Sequence, residues 1–389
     1  MRALAVAAFL LVAAPARAEG IVVIGDTTST SATSTPEGAI VRTRRPALHV
    51  EVGALLQVLV GGEPDGETGF RLARTRVIAD AELERVLHLA LHLELELNPR
   101  SELVDAPLAD AWLGFDAASR ALADVGRLRV GQMKVPFGGE LAQSAEELLF
   151  VTRADGSRCL GPGAQLHGDG ATLTMRESTG RDLGLRYDLD LGLGPLRLEA
   201  GAGLFGGAGP NRVGPTSPLY AARIALARGR FGDRGHLHIL VAVSWSYAAN
   251  SPVRDSCRFP DSPASTMADV HRVGADVRLR WRWLTLAAEG VAATLASGGI
   301  DAHALSGVVA IDVLPEFFEL AARLEDYEDD HLALAGGPLA EHFLALTAGA
   351  SLRYYGDRFR LQFNYTRRIS RVAGIPDSDG SLVSFLMAL

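Results

Sequence analysis

Lysine is nearly missing from this chain of 389 residues. Lys134 is the only one, so almost all positive charge is carried by arginine. Cysteine is scarce as well: Cys159 and Cys257 stand alone, and their spacing matches no zinc motif. After the N-terminus no apolar run reaches 18 residues, which excludes helical membrane spans. Positive charge is not in excess. The 38 Lys and Arg stand against 46 Asp and Glu, a formal net charge of −8, which argues against a nucleic-acid-binding protein. No G-x-S-x-G occurs, and no Ser and His pair stands out on one strand face, so a hydrolase is the weaker reading. Apolar residues, at 48%, are too abundant for general disorder.

The N-terminus reads as an address. Arg2 precedes the apolar stretch Ala3–Ala14, and Ala16-Arg17-Ala18 supplies an A-x-A cleavage site. Residues 1–18 are therefore expected to be a signal peptide, the stretch being too short for a membrane anchor. Removing them takes away two arginines and leaves a charge near −10 (36 − 46). An exported chain meets conditions in which a disulfide persists. Residues 19–46, with the Ser/Thr run Thr27–Thr35, predict a flexible arm.

From Ala47 onward the dominant period is two. Leu87, Leu89, Leu91, Leu93, Leu95 and Leu97 alternate with His88, Ala90, His92, Glu94, Glu96 and Asn98. A helix would scatter these leucines, whereas a strand puts them on one face. Val273, Ala275, Val277, Leu279 and Trp281 alternate in the same way with Arg272, Gly274, Asp276, Arg278 and Arg280. Sixteen such segments lie near 47–60, 70–83, 86–97, 107–116, 126–138, 181–191, 196–206, 219–228, 235–247, 269–281, 284–293, 303–314, 317–327, 342–355, 358–368 and 380–389. Short and long connections alternate between them. An even strand number with short turns on one side and long loops on the other is the layout of an outer-membrane β-barrel, here over 47–389. A soluble β-sandwich fits less well, because its strands are shorter and faces rich in Arg, Glu and His make a costly core. Trp112, Trp245, Trp281, Trp283 and Tyr354 near strand ends suit interfacial girdles.

Strict alternation turns Arg74, Arg76, Arg127, Arg129, Arg186, Arg197, Arg223, Arg272, Arg278, Arg280, Arg323, Arg353, Arg358 and Arg360 toward the lumen. Asp80, Glu82, Glu94, Glu96, Asp110, Asp188, Asp190, Asp276, Glu289, Glu319 and Glu325 share that face. Arginine rings draw anions and acidic rings draw cations. Arg272–Arg280 and Arg358–Arg368 are the most one-signed patches and the candidate anion track. The plainer reading is paired charge that keeps a wide lumen polar. Lys134 falls out of phase. A bulge at Gly131 would turn it inward, and a subunit interface would accept it outward. The pairs His88/His92 and His236/His238 lack a third ligand, so no metal or cofactor is expected.

One stretch is distinctive. Ala109-Asp110-Ala111-Trp112-Leu113, then Arg127-Leu128-Arg129-Val130-Gly131-Gln132-Met133-Lys134-Val135-Pro136-Phe137-Gly138, resembles the phosphate-selective porin O and P family, with Met133 in place of the usual Phe. Glu146-Glu147-Leu148-Leu149-Phe150 looks like the loop segment that follows in that family. The resemblance implies a homotrimer of sixteen-stranded barrels in the bacterial outer membrane, against lipid and lipopolysaccharide. It implies passive diffusion of small anions such as phosphate. A general or cation-preferring porin, and a non-conducting structural or enzymatic barrel, remain the alternatives. It also implies that the loop Gly139–Gly180 folds inward, bringing Glu140, Glu146, Glu147, Arg153 and Arg158 to a constriction. Cys159 and Cys257 both fall in long connections on the same side of the barrel, which predicts a disulfide between them.

Overall fold

The computed structural model describes residues 31–35, 38–42, 47–62, 64, 68–84, 88–96, 108–116, 126–143, 147–162, 164–167, 174–178, 180–207, 209, 218–229, 237–254, 262–295, 302–330, 341–354 and 358–388. Sixteen strands follow the two-residue period. They are β1 (Ala47–Gly62), β2 (Gly69–Glu84), β3 (His88–Glu96), β4 (Leu108–Asp116), β5 (Gly126–Lys134), β6 (Arg181–Leu193), β7 (Leu196–Phe205) and β8 (Leu219–Arg228). The second half comprises β9 (Leu237–Arg254), β10 (Ser262–Trp281), β11 (Leu284–Leu295), β12 (Ala302–Leu314), β13 (Phe318–Asp329), β14 (Glu341–Tyr354), β15 (Phe359–Ser370) and β16 (Ser378–Ala388).

Each strand pairs antiparallel with its sequence neighbours, including β5 with β6 across the longest connection. The ring closes where β16 pairs with β1, Ala388 opposite Leu55 and Ser381 opposite Gly62. There Gln57 Nε2 donates to Ser384 Oγ at 2.9 Å. Closure leaves no sheet edge, which is what allows strands to cross lipid. Among the described residues no helix is long and apolar enough to cross a membrane. Ser31–Thr35 and Gly38–Arg42, within the predicted arm, pair with each other and not with the barrel.

The two faces differ as the alternation requires. On β9, Val241, Val243 and Trp245 are exposed, while Ala242, Ser244 and Ser246 between them are buried. Along β10, Val273 and Val277 face outward, with Asp276 buried on the other side. An apolar exterior around a polar interior is the arrangement a bilayer demands. Trp281, Trp283, Phe317 and Tyr354 are exposed at the short-turn end, and Tyr220 stacks with Tyr247 near the other rim, 6.4 Å between centroids.

Three boundaries depart from the sequence expectation. The strand expected over 126–138 stops at Lys134, because Pro136 has no N–H to donate and the Val135 N–H bonds Gly180 O at 2.7 Å, closing the neck of the long loop. β9 and β10 run well past the expected 247 and 269. They keep pairing outward from the barrel, through register shifts at Ala248/Ser251 and Val253/Arg254. Ser262 and Pro263 of β10 then pair with Met175 and Thr174 of the long loop. The main apolar core lies between that loop and the wall. It contains Met133, Phe137, Leu141 and Leu160 with Phe205, Leu219, Tyr327 and Phe343.

Candidate functional site

The connection between β5 and β6 is 46 residues, 135–180, and its described parts lie inside the barrel. Gly138 starts the descent in a left-handed conformation, φ 67°. Two short helices follow, α1 (Gly139–Ala142) and α2 (Asp155–Leu160). Their first turns leave N–H groups without helical partners, and wall carboxylates take them. Glu289 of β11 accepts from Gly139 N at 3.2 Å and Glu140 N at 2.8 Å. Glu325 of β13 accepts from Asp155 N and from Gly156 N. Ser244 Oγ of β9 accepts from Gly138 N at 3.1 Å.

Between the helices the polarity is reversed, and wall side chains donate to loop carbonyls. Arg323 donates to Thr152 O at 2.9 Å, and Arg360 to Leu148 O at 2.9 Å. Gln362 Nε2 lies 3.3 Å from both Leu148 O and Leu149 O. Two wall glycines make sockets for loop rings. A Cβ at Gly274 would sit 3.3 Å from the Phe137 ring, and one at Gly349 would sit 3.2 Å from Phe150. The Arg323 guanidinium covers the Phe150 ring at 4.8 Å. Asp155 meets Arg368 at 2.8 Å and Arg158 at 3.2 Å. Burial pushes the Asp155 carboxyl up, but Arg368 and Arg158 overcome this and hold it below its ordinary value.

Beside these anchors a recess is lined by Arg153, Arg158, Arg323 and Arg368 with Asp155 and Glu325. Four guanidiniums face two carboxylates there. Arg153 donates to Glu140 O at 3.3 Å and Gln143 O at 3.1 Å, and Glu140 accepts from Ala154 N at 2.7 Å. The loop thus folds inward at the described residues. Glu147 is exposed and Glu146 lies outside the described residues.

The two arginine tracks are not open rows of charge. Arg280 lies 3.6 Å from Asp312, and Arg353 bridges Asp312 and Glu319. Arg223 grips Asp276 at 2.9 and 2.8 Å. Arg186 bonds Asp188 at 2.7 Å, and Arg129 lies 3.4 Å from the same carboxylate and 4.5 Å over the Trp112 ring. Arg76, Arg127, Arg278 and Arg358 each have a polar or electrostatic partner as well. Arg358 is exposed just before β15, on the short-turn side. Arg272 points inward, and among the described residues its buried Nε has no hydrogen-bond partner. The Lys134 ammonium donates to Ala142 O at 3.1 Å, which ties it to the inserted loop, and the register on both sides of Gly131 is unbroken. Gly131 instead adopts φ 134°, where a Cβ would meet Ala111 O at 2.2 Å. Cys159 is disulfide-bonded. Cys257 and the side chains of Arg74, His88 and His92 lie outside the described residues. Among the described residues no cluster suited to a metal ion occurs.

Sequence reasoning put Arg323, Glu289 and Glu325 on the inner face but missed their use as loop anchors. It placed Arg368 in the candidate anion track without its loop partner, and it did not single out Ser244 or Asp155. No spacing signal relates a loop amide to a carboxylate more than a hundred residues away.

A closed sixteen-stranded barrel with an apolar exterior and a loop folded into its lumen is an outer-membrane channel of the porin type. Residues 60–180 match the model of the family described as phosphate-selective porin O and P, a segment that includes the distinctive stretch 109–150. No curated protein matches the sequence. Solved structures share the fold. An OmpT loop L8 deletion mutant from Vibrio cholerae superimposes with a TM-score of 0.59 at 12% identity, covering 88% of this chain and 99% of that one. An anion-selective porin from Comamonas acidovorans gives 0.56 at 12%, covering 88% and 100%. The outer membrane channel DcaP of Acinetobacter baumannii gives 0.53 at 12%, covering 88% and 97%. The chain is a bacterial outer-membrane porin-type barrel.

Proposed function

We propose that this channel passes small anions, phosphate among them, by passive diffusion, with a modest preference over cations and no enzymatic step. The observation that carries the reading is the recess beside the inserted loop, where Arg153, Arg158, Arg323 and Arg368 outnumber Asp155 and Glu325. Charges at a constriction outweigh those beyond a Debye length of roughly 8–10 Å, so the acidic total is a poor guide. The preference is modest because ion pairs and loop anchors occupy most wall arginines. The name of the matching family and the anion-selective description of the Comamonas acidovorans porin support the same direction.

The working form is a homotrimer, an assembly also given for OmpT of Vibrio cholerae, set in lipid and lipopolysaccharide. Residues 1–18 are removed on export, and residues 19–46 form an arm ahead of the barrel. Cys159 pairs with Cys257, the only other cysteine in the chain. Replacing Arg153 and Arg158 together by Gln tests the charge assignment. The chloride-to-potassium permeability ratio should fall in the double variant while the barrel stays folded. An unchanged ratio would make this a general porin whose recess does not select.

A further inference from the structure

The inner face of the closing seam is apolar. On β1 and β16, Leu55, Leu59, Leu382 and Leu386 are buried, around one polar pair, Gln57 with Ser384. Apolar side chains on the wall of a water-filled lumen are unfavourable until something covers them. The seam is also the costliest pairing to form. β1 and β16 are the two ends of the barrel, and Gln57 and Ser384 stand 327 positions apart. No turn joins these strands, so closing them costs more chain entropy than closing a hairpin. Their ladder covers the eight residues Ser381–Ala388, against the twelve of Val270–Trp281 between β10 and β11.

The inserted loop supplies the cover. Leu148, Phe150 and Val151 are buried, and Val151 forms one apolar cluster with Leu59 of β1 and Leu382 of β16. Thr152 and Arg153 line one recess with Gly62 at the end of β1 and Gly380 of β16. β15, which pairs with β16, holds the same stretch of loop along its length. Arg360 and Gln362 donate to Leu148 O, and Arg368 meets Asp155. Asn364, with its amide oriented to satisfy both partners, accepts from Val151 N at 2.8 Å. The loop therefore follows β15 from Arg360 to Arg368 and presents Val151 to both strands of the seam. We infer that residues 148–155 are an internal clamp on the β16–β1 seam, so that loop docking and barrel closure form one cooperative unit. The clamp goes beyond the proposed anion preference and does not depend on it.

Hydrogen exchange of the full chain, folded in detergent and read by mass spectrometry, provides the test. Val151→Asp places a charge against Leu59 and Leu382. Gln362→Ala takes a donor from Leu148 O and Leu149 O without altering β1 or β16. The amides of Leu55–Gly62 and Ser381–Ala388 should exchange roughly tenfold faster in Val151→Asp than in wild type, and faster to a smaller extent in Gln362→Ala. Those of Val270–Trp281 should keep their wild-type rates. Unchanged exchange at the seam in Val151→Asp overturns the clamp, as does an equal acceleration in Val270–Trp281, which would mark a general loss of stability. If Val151→Asp does not fold, wild type in rising denaturant decides. Residues 148–155 and the seam should lose protection at one concentration, and loss of the loop first, with the seam still protected, overturns the clamp. Ion selectivity is not read in this experiment, so its failure leaves the proposed function standing.

Discussion

At the scale of the residue, the join between loop and wall rests on charges that hold one another in place. Asp155 lies against Arg368 and Arg158, and all three are buried. Its carboxyl is held below its ordinary value, so the folded protein binds its proton less readily than the unfolded chain does. The stability it lends is therefore present above the unfolded value of about 4 and is lost as pH falls through the lower folded value. The contribution of Asp155 to the anchor should therefore hold near neutral pH and be lost only in acid below its ordinary range. Arg368→Ala removes the nearer cation and should raise the pH at which loosening begins. It should also lower stability, by less than the roughly 3–5 kcal/mol that stranding a buried charge costs, because Arg158 still faces Asp155. Current noise against pH in planar bilayers reads the first effect and the unfolding midpoint reads the second. An identical acid limit in the variant would contradict this role for Arg368. None of the pairing was legible in the sequence. Asp155 and Arg368 are 213 positions apart, and only the folded loop brings them together.

At the scale of the element, strands and loop differ in how plainly the chain announces them. The leucines at 89, 91, 93 and 95 and the alternation along β10 and β15 follow from a backbone repeat of two, so local sequence suffices. Segments 219–228 and 303–314 are the strands β8 and β12, held in the ladder by pairing with their neighbours. The outward extension of β9 and β10 was not legible, because Ser251-Pro252 and Ser262-Pro263 read locally as loop. The position of the inserted loop is decided by Phe137 and Phe150, whose rings rest on Gly274 and Gly349. Phe150→Ala should empty one socket and weaken loop packing by about 3–5 kcal/mol, leaving the strand ladder intact. Limited proteolysis of the folded protein should then cut within residues 135–180 faster than in wild type. Equal cutting rates would mean that Phe150 does not hold the loop. The disulfide of Cys159 belongs to the same element. Non-reducing peptide mapping should recover Cys159 joined to Cys257, and recovery of both as free thiols would contradict it.

At the scale of the whole molecule, an apolar exterior, a closed hydrogen-bonded ring and a polar interior narrowed by its own loop form one device for carrying water and ions across lipid. The acidic total says little about what passes, since Asp326 and Asp377 pair with Arg371 and Arg367 outside the lumen. What matters is the local sign where the loop meets the wall. The most direct measurement is the reversal potential of the purified wild-type channel in a planar bilayer under a KCl gradient. Stable unitary conductance with a potential displaced modestly toward that of chloride is the predicted result. A potential displaced toward that of potassium would contradict the anion preference, and the absence of any conductance would contradict the channel itself.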